Sequence, residues 1–253
     1  MNMQGNSSHT PPPILRQVRE LLAGHCDSVT LDLQKFPDVG RKKKAKELND
    51  FCRQVESSKK HVPPLWKIPQ FYGVRRFSAI SRGRLLVNHT GGIVENSNLA
   101  LHRFFGFPVI PGSALKGIAR SAAAADLCEE NKERFARVFG DLEKGGKASS
   151  DEDKERHSGS VAFLQALPAN SEWKMTVDVL TSHQGCDTKN PVPVFFPAVE
   201  AGAVFDFMIA PTARTEDGDL EFAERYLKLA LTENGVGAKT AAGYGWFEIK
   251  GSR

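Results

Sequence analysis

The spacing of apolar residues predicts two amphipathic helices in the second half of the chain. In residues 108–127, apolar residues recur every three or four positions, as on the buried face of a helix, with Ser113 as the expected N-cap. A second helix is predicted from Asp219, as N-cap, to Gly235, as terminator. The residues expected to face inward are Leu115, Ile118, Ala119 and Ala122 in the first helix, and Leu220, Ala223, Leu227, Ala230 and Leu231 in the second.

Strands are predicted before, between and after these helices. In residues 76–88, a two-residue alternation would place Ile80, Arg82, Arg84 and Leu86 on one face of a strand. Proline-rich residues 190–197 are predicted to be irregular. The order strand, helix, two or three strands, helix, strand predicts an α+β fold, a ferredoxin-like (RRM-like) βαββαβ sandwich. The further strand segments are 159–167, 172–181, 203–211 and 244–250.

The chain of 253 residues is 40% hydrophobic, which suits one elaborated domain or two small ones. Residues 1–70 are predicted to form a helical, basic N-terminal extension, and residues 71–253 the main domain, with insertions near 141–158 and 181–200. No apolar run approaches the length of a membrane span, and the N-terminus lacks a signal-peptide core, so we expect a cytoplasmic protein. Its widely spaced cysteines indicate reduced thiols; they are Cys26, Cys52, Cys128 and Cys186.

Charge is divided unevenly between the two parts of the chain. Residues 1–140 contain 22 Lys and Arg against 12 Asp and Glu, a balance of +10, whereas the remainder contains 12 against 18, a balance of −6. This division suggests a polyanion on the basic side and a protein neighbour on the acidic side. An ordinary solvated surface would explain the same counts.

The stretch "ENGVGAKTAAGYGWFEIK" (233–250) combines glycines with a Lys-Thr pair. It is not a Walker phosphate loop, because Ala238 rather than glycine precedes Lys239 and because a helix leads into the loop and a strand follows. ATP binding is therefore not expected. The segment also departs from the RNP1 pattern of RNA-recognition domains, so burial of Tyr244 and Trp246 is favoured over base stacking. The remaining interpretations are a loop that approaches another chain closely, with Lys239 as its cation, or a helix cap with a tight turn.

Lys116 of "PGSALKG" (111–117) and Arg120 lie one turn apart on one predicted helix face. Cations in the first turns of a helix oppose its dipole, but they become favourable where an anion binds the helix N-terminus. Gly117 inside the helix suggests a close approach by another group. A solvated face with a packing glycine is the alternative.

Catalytic and metal-binding patterns are sparse. The histidines at 89, 102 and 183 have no partner visible in the sequence, and paired carboxylates occur in solvated runs such as "DEDKE". No catalytic site, metal or cofactor is expected.

The two glycine-bearing motifs, in this order and spacing, resemble the RAMP superfamily of CRISPR-associated proteins. "FGFPVIPGSALKGIARS" (105–121) is similar to the sixth subunit of the Cmr (type III-B) effector complex, and "GVGAKTAAGYG" (235–245) is similar to the C-terminal glycine-rich loop of the superfamily. The similarity covers roughly residues 75–250. It implies a ferredoxin-like core that binds CRISPR RNA by its backbone and packs against other subunits near the 3′ end of the guide.

The resemblance and the residue patterns together predict a non-catalytic CRISPR RNA-binding subunit, with target RNA as a further candidate ligand and other Cmr subunits as partners. The expected RNA-binding residues are Arg82, Arg84, Gly112, Ser113, Lys116, Arg120, Gly237 and Lys239. The glycine-rich loop is expected to lie against the N-terminus of the first helix, so that Gly237→Val would impair RNA binding more than stability. The alternative is a metal-independent CRISPR-type endoribonuclease on the same fold, with His89 as its acid–base residue.

Overall fold

The computed structural model describes residues 44–57, 73–89, 98–140, 158–181 and 193–251. The boundary expected at residue 70 and the centres of both predicted insertions lie outside these ranges. The helices are α1 (Lys44–Ser57), α2 (Gly112–Ala125), α3 (Lys132–Phe139) and α4 (Asp219–Glu233), with a short 3₁₀ helix at Thr240–Ala242. The strands are β1 (Arg75–Ser81), β2 (Val161–Phe163), β3 (Leu167–Pro168), β4 (Met175–Thr181), β5 (Pro193–Val199), β6 (Val204–Pro211) and β7 (Phe247–Ile249).

The described residues form two compact units. The larger, drawn from residues 63–87, 108–174 and 199–253, contains an antiparallel sheet of strand order β2-β6-β1-β7, with β3 also paired to β6. Helix α4 packs against α2, β6 and β7, because its apolar face carries residues of the predicted periodicity, including Ala223 and Leu227, which are fully buried. Phe77 of β1 stacks on Phe207 of β6 with ring centroids 5.2 Å apart. The protein therefore has a mixed α/β fold with antiparallel sheets.

The smaller unit is drawn from residues 1–62, 88–107 and 175–198. Helix α1 packs against β4, and the backbone N–H of Met175 donates to Glu56 Oε1 at 2.7 Å. The helix buries one apolar stripe, as an amphipathic sequence should. Its buried residues are Leu48, Phe51, Cys52 and Val55. Burial, followed by the charge of Glu56, raises the pKa of the Cys52 thiol to about 12, so it remains a protonated thiol at neutral pH.

The prediction that residues 190–197 are irregular was wrong for the described part, since Pro193–Val199 forms strand β5. Proline lacks a backbone N–H and is excluded from central strands, but β5 pairs with β4 in a two-stranded sheet, and among the described residues its other edge is bridged only at its end, from Val199 to Leu85. The sequence of residues 172–181 predicts that Met175, Val177 and Val179 alternate with polar residues. In β4, Met175 is buried as expected, whereas Asp178 is buried and Val179 is exposed. The alternation predicted for that strand therefore does not hold along its length.

Both predicted N-caps were wrong. Helix α2 has Pro111 at its N-cap position and no side-chain cap, while Ser113 is an exposed residue of the first turn. Helix α4 has Gly218 at that position, and Asp219 is the first helical residue, completely buried. Its carboxylate accepts bonds from Arg137 at 2.9 Å, Ser160 at 2.8 Å and the Glu216 amide at 3.1 Å. Asp219 is thus an anchor that joins α4 to α3 and to the segment before β2.

Strand β1 ends at Ser81, so the two-residue alternation does not continue through residue 88. Leu86 is buried while Arg82 and Arg84 are exposed, and these residues do not share one face of a strand as predicted. The reason is that residues 82–87 turn their backbone toward the C-terminal loop. The N–H of Arg82 donates to the carbonyl of Trp246 at 2.8 Å, and the carbonyl of Arg84 accepts from Gly245 at 2.7 Å.

Candidate nucleic-acid interface

Three cations lie near one another beside the second and third turns of α2. Lys116 and Arg120 lie on successive turns, as the sequence predicted, and Arg214 approaches from the connection between β6 and α4. Burial lowers the pKa of Lys116, and the charges of Arg120 and Arg214 lower it further. Repulsion of this kind is relieved when an anion binds among the cations. We call Lys116, Arg120 and Arg214 the cation cluster.

Arg214 was missed by the sequence analysis because it lies almost a hundred residues after Lys116 in an ordinary polar loop. Its guanidinium donates to the carbonyl of Ser158 at 2.8 Å. The loop itself is fixed by the hydroxyls of Thr212 and Thr215, which donate to the carbonyl of Ser160 at 2.7 and 2.6 Å. The threonines on both sides of Arg214 were the only sequence feature that could have indicated an ordered loop. The carbonyl of Ser160, which accepts from both of them, is identified only by the tertiary structure.

The N-terminus of α2 is well placed for an anion but tightly packed on one side. Its first turn has no acidic residue and no side-chain cap, so no side chain of that turn offsets the positive end of the helix dipole. A Cβ at Gly112 would lie 2.0 Å from the carbonyl oxygen of Phe163, which explains that glycine by packing within the chain. Ser113, being exposed, is accessible to an anion at this end. Roles of Gly112 and Ser113 in RNA binding remain predictions.

The glycine-rich loop folds onto residues 82–87. The N–H of Ala238 donates to the carbonyl of Leu86 at 2.7 Å, and a Cβ at Gly237 would lie 2.3 Å from that same oxygen. A Cβ at Gly83 would lie 2.0 Å from the carbonyl oxygen of Gly243. The glycines therefore permit a close approach between two segments of this chain. Within the described residues, the backbone hydrogen bonds of the loop run to residues 82–86 and within the loop itself, and its expected placement against the N-terminus of α2 stays a prediction.

This packing brings four predicted residues to one part of the larger unit, namely Arg82, Arg84, Gly237 and Lys239. Arg82 is exposed and lies 3.8 Å from the carboxylate of Glu248, an exposed pair that stabilises little. Lys239 adopts a left-handed backbone conformation, with φ 62°, which costs a non-glycine residue about 1–2 kcal/mol. Of the two aromatic residues, Tyr244 is buried, as the burial interpretation predicted. The indole N–H of Trp246 donates to the carbonyl of Thr240 at 2.9 Å.

His89, the acid–base candidate of the endoribonuclease alternative, is 8% exposed in the smaller unit. Its ring meets Phe196 edge to face with centroids 5.1 Å apart. A general acid–base group must come within hydrogen-bonding distance of the proton that it transfers. The buried ring of His89 would therefore have to become exposed before it could transfer a proton to or from RNA.

Within the described residues, no group of three or more His, Cys, Asp or Glu side chains could hold a metal ion. None of the helices in those residues has the length and apolar character needed to cross a membrane.

Residues 80–248 match the family model described as the RAMP superfamily. Two curated relatives are Cmr6 subunits of CRISPR systems. That of Pyrococcus furiosus is 26% identical over 65% of this chain and 65% of its own length, and that of Saccharolobus solfataricus is 27% identical over 79% and 67%. The chain thus spans about two thirds of the length of these relatives.

A solved structure, the type III-B Cmr-beta complex bound to cognate target RNA, contains a chain with the same fold. It aligns with a TM-score of 0.56 and 22% identity, covering 94% of this chain and 72% of that one. At this identity the similarity concerns the fold alone. The family match includes both glycine-bearing motifs: the first includes the first turns of helix α2, and the second is the loop that packs on residues 82–87. By this match, the chain belongs to the RAMP superfamily.

Proposed function

We propose that this chain is a non-catalytic, CRISPR RNA-binding subunit of a type III-B (Cmr) RNA-guided effector complex. It packs near the 3′ end of the guide and contributes to assembly for antiviral defence in the cytoplasm. The cation cluster is the observation that carries the proposal. It joins Lys116 of the PGSALKG motif and Arg120, one turn later, to a third cation from a distant loop, along a helix with no side-chain N-cap. The similarity to two Cmr6 subunits supplies the biological setting.

The strand order supports the ferredoxin-like arrangement within this proposal. Because β6 is antiparallel to both β1 and β2, the segment containing α2 connects two parallel strands, β1 and β2, that have β6 between them. In the same way, α4 connects β6 to β7 with β1 between them. Two such split βαβ units, interlocked in one sheet, are the βαββαβ arrangement shared with RNA-recognition domains.

The mode of binding is electrostatic and independent of sequence. Lysine, arginine and backbone N–H groups contact phosphates and position a strand without reading its bases. The cation cluster and the N-terminus of α2 would hold one part of the RNA backbone, and Arg82, Arg84 and Lys239 another. Guide and target RNA share the same backbone chemistry, so target RNA is a further candidate ligand.

The acidic balance of residues 141–253 supports other Cmr subunits as partners. A net −6 spread evenly over this part would repel RNA, so it is better suited to a protein neighbour. Several acidic side chains are already paired within the chain. Glu224, for example, lies 2.6 Å from Lys228 and 3.1 Å from Arg75. The acidic groups outside such pairs are the ones available to a basic neighbour.

The salt dependence of RNA binding tests the cation cluster. We expect Lys116→Ala with Arg120→Ala to reduce the slope of log affinity against log salt by about 1.4 on single-stranded RNA, at roughly 0.7 per lost phosphate contact. Adding Arg214→Ala should bring the reduction to about 2.1. The melting temperature should fall slightly, because Arg120 lies 5.9 Å over the Phe135 ring and Arg214 donates to the carbonyl of Ser158, so the slopes are measured on variants shown to be folded. The control, Lys132→Ala with Arg225→Ala, removes the same charge from two surface ion pairs and should leave the slope nearly unchanged. Equal slopes for all variants would contradict the proposal.

Incubation with CRISPR repeat RNA in EDTA separates this proposal from the endoribonuclease. We expect bound, intact RNA. Cleavage at a defined site that persists in EDTA and disappears in His89→Ala would establish the enzyme instead. A fold check of His89→Ala is required, because the ring is packed against Phe196.

A further inference from the structure

Residues 102–107 form a tight turn in the smaller unit that is held by its own backbone and by one histidine. The N–H of His102 donates to the carbonyl of Phe107 at 2.6 Å, and the N–H of Gly106 donates to the carbonyl of His102 at 2.9 Å. The Nδ1 atom of His102 accepts from the N–H groups of Phe104 and Phe105, both at 3.3 Å. Hydrogen bonds within the turn therefore define its shape.

The aromatic residues of this turn divide into a packed group and one exposed ring. The His102 ring lies 5.0 Å from Phe105 and 4.7 Å from Phe107, which is 1% exposed. Phe104 is 77% exposed, the largest value among the exposed large hydrophobic residues of the described chain. Exposing a phenylalanine forgoes about 1.5–3 kcal/mol of burial free energy. A rigid turn that holds this ring in solvent presents a preformed contact for a ligand.

We propose that Phe104 stacks on an unpaired nucleobase of RNA, with Arg103 beside it for the adjoining phosphate. The inference rests on the proposed RNA-binding function and extends it to a site outside the two predicted motifs. A single flat ring offers the area of one base, and stacking on an aromatic side chain tolerates any base sequence. Arg103 is exposed in the same turn and carries the charge that complements a phosphate.

A protein neighbour fits this turn less well than a base. Protein interfaces surround an aromatic anchor with further contacts that exclude water. In the described residues, the other exposed large hydrophobic side chains, Val179 and Leu229, belong to β4 and α4 rather than to the turn. The turn thus offers one ring and one cation, the combination that binds single-stranded nucleic acid.

The experiment compares the affinity of the full chain for two single-stranded oligoribonucleotides of equal length and charge, one with bases and one abasic. The wild type should bind the RNA with bases more tightly. Phe104→Ala should lower that affinity roughly 5- to 150-fold and leave affinity for the abasic strand unchanged. Phe104→Trp, which keeps a stacking face, should restore tight binding. Leu229→Ala, which removes an exposed apolar side chain from α4, is the matched control and should behave as the wild type.

Three results would overturn the inference while leaving the proposed function intact. These are wild-type affinity of Phe104→Ala for both strands, an equal loss on both strands, and failure of Phe104→Trp to restore binding by a folded protein. Loss of a co-purifying protein from Phe104→Ala, with RNA affinity unchanged, would assign the ring to a protein contact instead. A wild-type chain that binds neither strand would overturn the proposed function and this inference together.

Discussion

Lys239 is the residue at which backbone strain and the proposed function coincide. The neighbouring positions with positive φ are glycines, at 235, 237, 243 and 245, whereas position 239 retains a lysine at φ 62°. We expect Lys239→Gly to raise the free energy of unfolding by about 1 kcal/mol, because glycine tolerates this conformation, and to weaken RNA binding. Lys239→Arg should retain both the strain and the binding. Thermal melts and RNA titrations of the two variants check this, and unchanged RNA affinity in Lys239→Gly would remove Lys239 from the interface.

Asp219 is expected to stabilise the fold through its buried hydrogen bonds. Burial alone would raise its pKa, but hydrogen bonds from Arg137, the Glu216 amide and Ser160, together with the charge of Arg137, lower it. A lowered carboxyl pKa stabilises the fold above the unfolded pKa of about 3.9, and this contribution is lost as pH falls through the folded pKa. We expect Asp219→Asn to lower the free energy of unfolding by about 3–5 kcal/mol at pH 7. Denaturant titrations should show the difference from wild type constant between pH 5 and 8 and smaller below about pH 4. The exposed neighbour variant Asp217→Asn should cost little at any pH.

At the scale of elements, the glycine-rich loop packs on residues 82–87 and is joined to them by backbone hydrogen bonds. Gly237→Val would place a side chain at φ 95° against the carbonyl oxygen of Leu86. We therefore expect it to lower the free energy of unfolding by about 2 kcal/mol or more, and the sequence-based expectation of a mainly RNA-specific defect is revised. Gly243→Ala is the matched control, since its φ is 89° but its Cβ would meet nothing within 4 Å. A melting temperature equal to wild type for Gly237→Val would contradict this.

Helix α2 contains a glycine that packing within the described chain does not explain. Gly117 is exposed, and a Cβ there would meet nothing within 4 Å. Since alanine is favoured over glycine in a helix interior by about 0.5–1 kcal/mol, Gly117→Ala should raise the melting temperature. If RNA approaches this turn, the added methyl group should also weaken binding. Ser121→Ala, one turn later on the exposed surface, should leave RNA affinity unchanged. Equal affinities for both variants would exclude a close contact at Gly117.

At the scale of the whole molecule, the proposal concerns assembly. We expect gentle purification from cells expressing the complete locus to yield a multi-subunit ribonucleoprotein that contains this chain. The acidic residues after position 140 suit protein contacts, and the cation cluster suits RNA. As the salt concentration rises, subunits held together through RNA should dissociate before subunits held by apolar contacts, because salt screens charge interactions. Recovery of the chain as a free monomer from such cells would contradict a role in assembly.

The sequence determined those features that depend on near neighbours along the chain. Periodicity identified the buried residues of α2 and α4, including Leu115, Ala119, Ala223 and Leu227, and placed Lys116 and Arg120 one turn apart. Gly235 ends α4 as predicted, with φ 74° and its N–H bonded to the carbonyl of Ala230, because a left-handed terminator is a local requirement. The two motifs were sufficient to identify the RAMP superfamily, which the family match confirmed.

The tertiary structure decided everything that depends on residues distant in sequence. Arg214 joins Lys116 only because the β6–α4 connection returns to α2, and Asp219 pairs with Arg137, 82 positions earlier, instead of capping its own helix. Gly237 is explained by the carbonyl of Leu86, a contact that no local pattern contains. The exposure of Phe104 was likewise invisible, since a run of aromatic residues predicts burial for all of them. The physical reason is the same in each case. Periodicity in the sequence shows which face of a helix or strand is apolar. The packing of the whole chain determines which residues contact that face and which residues contact the loops between the elements.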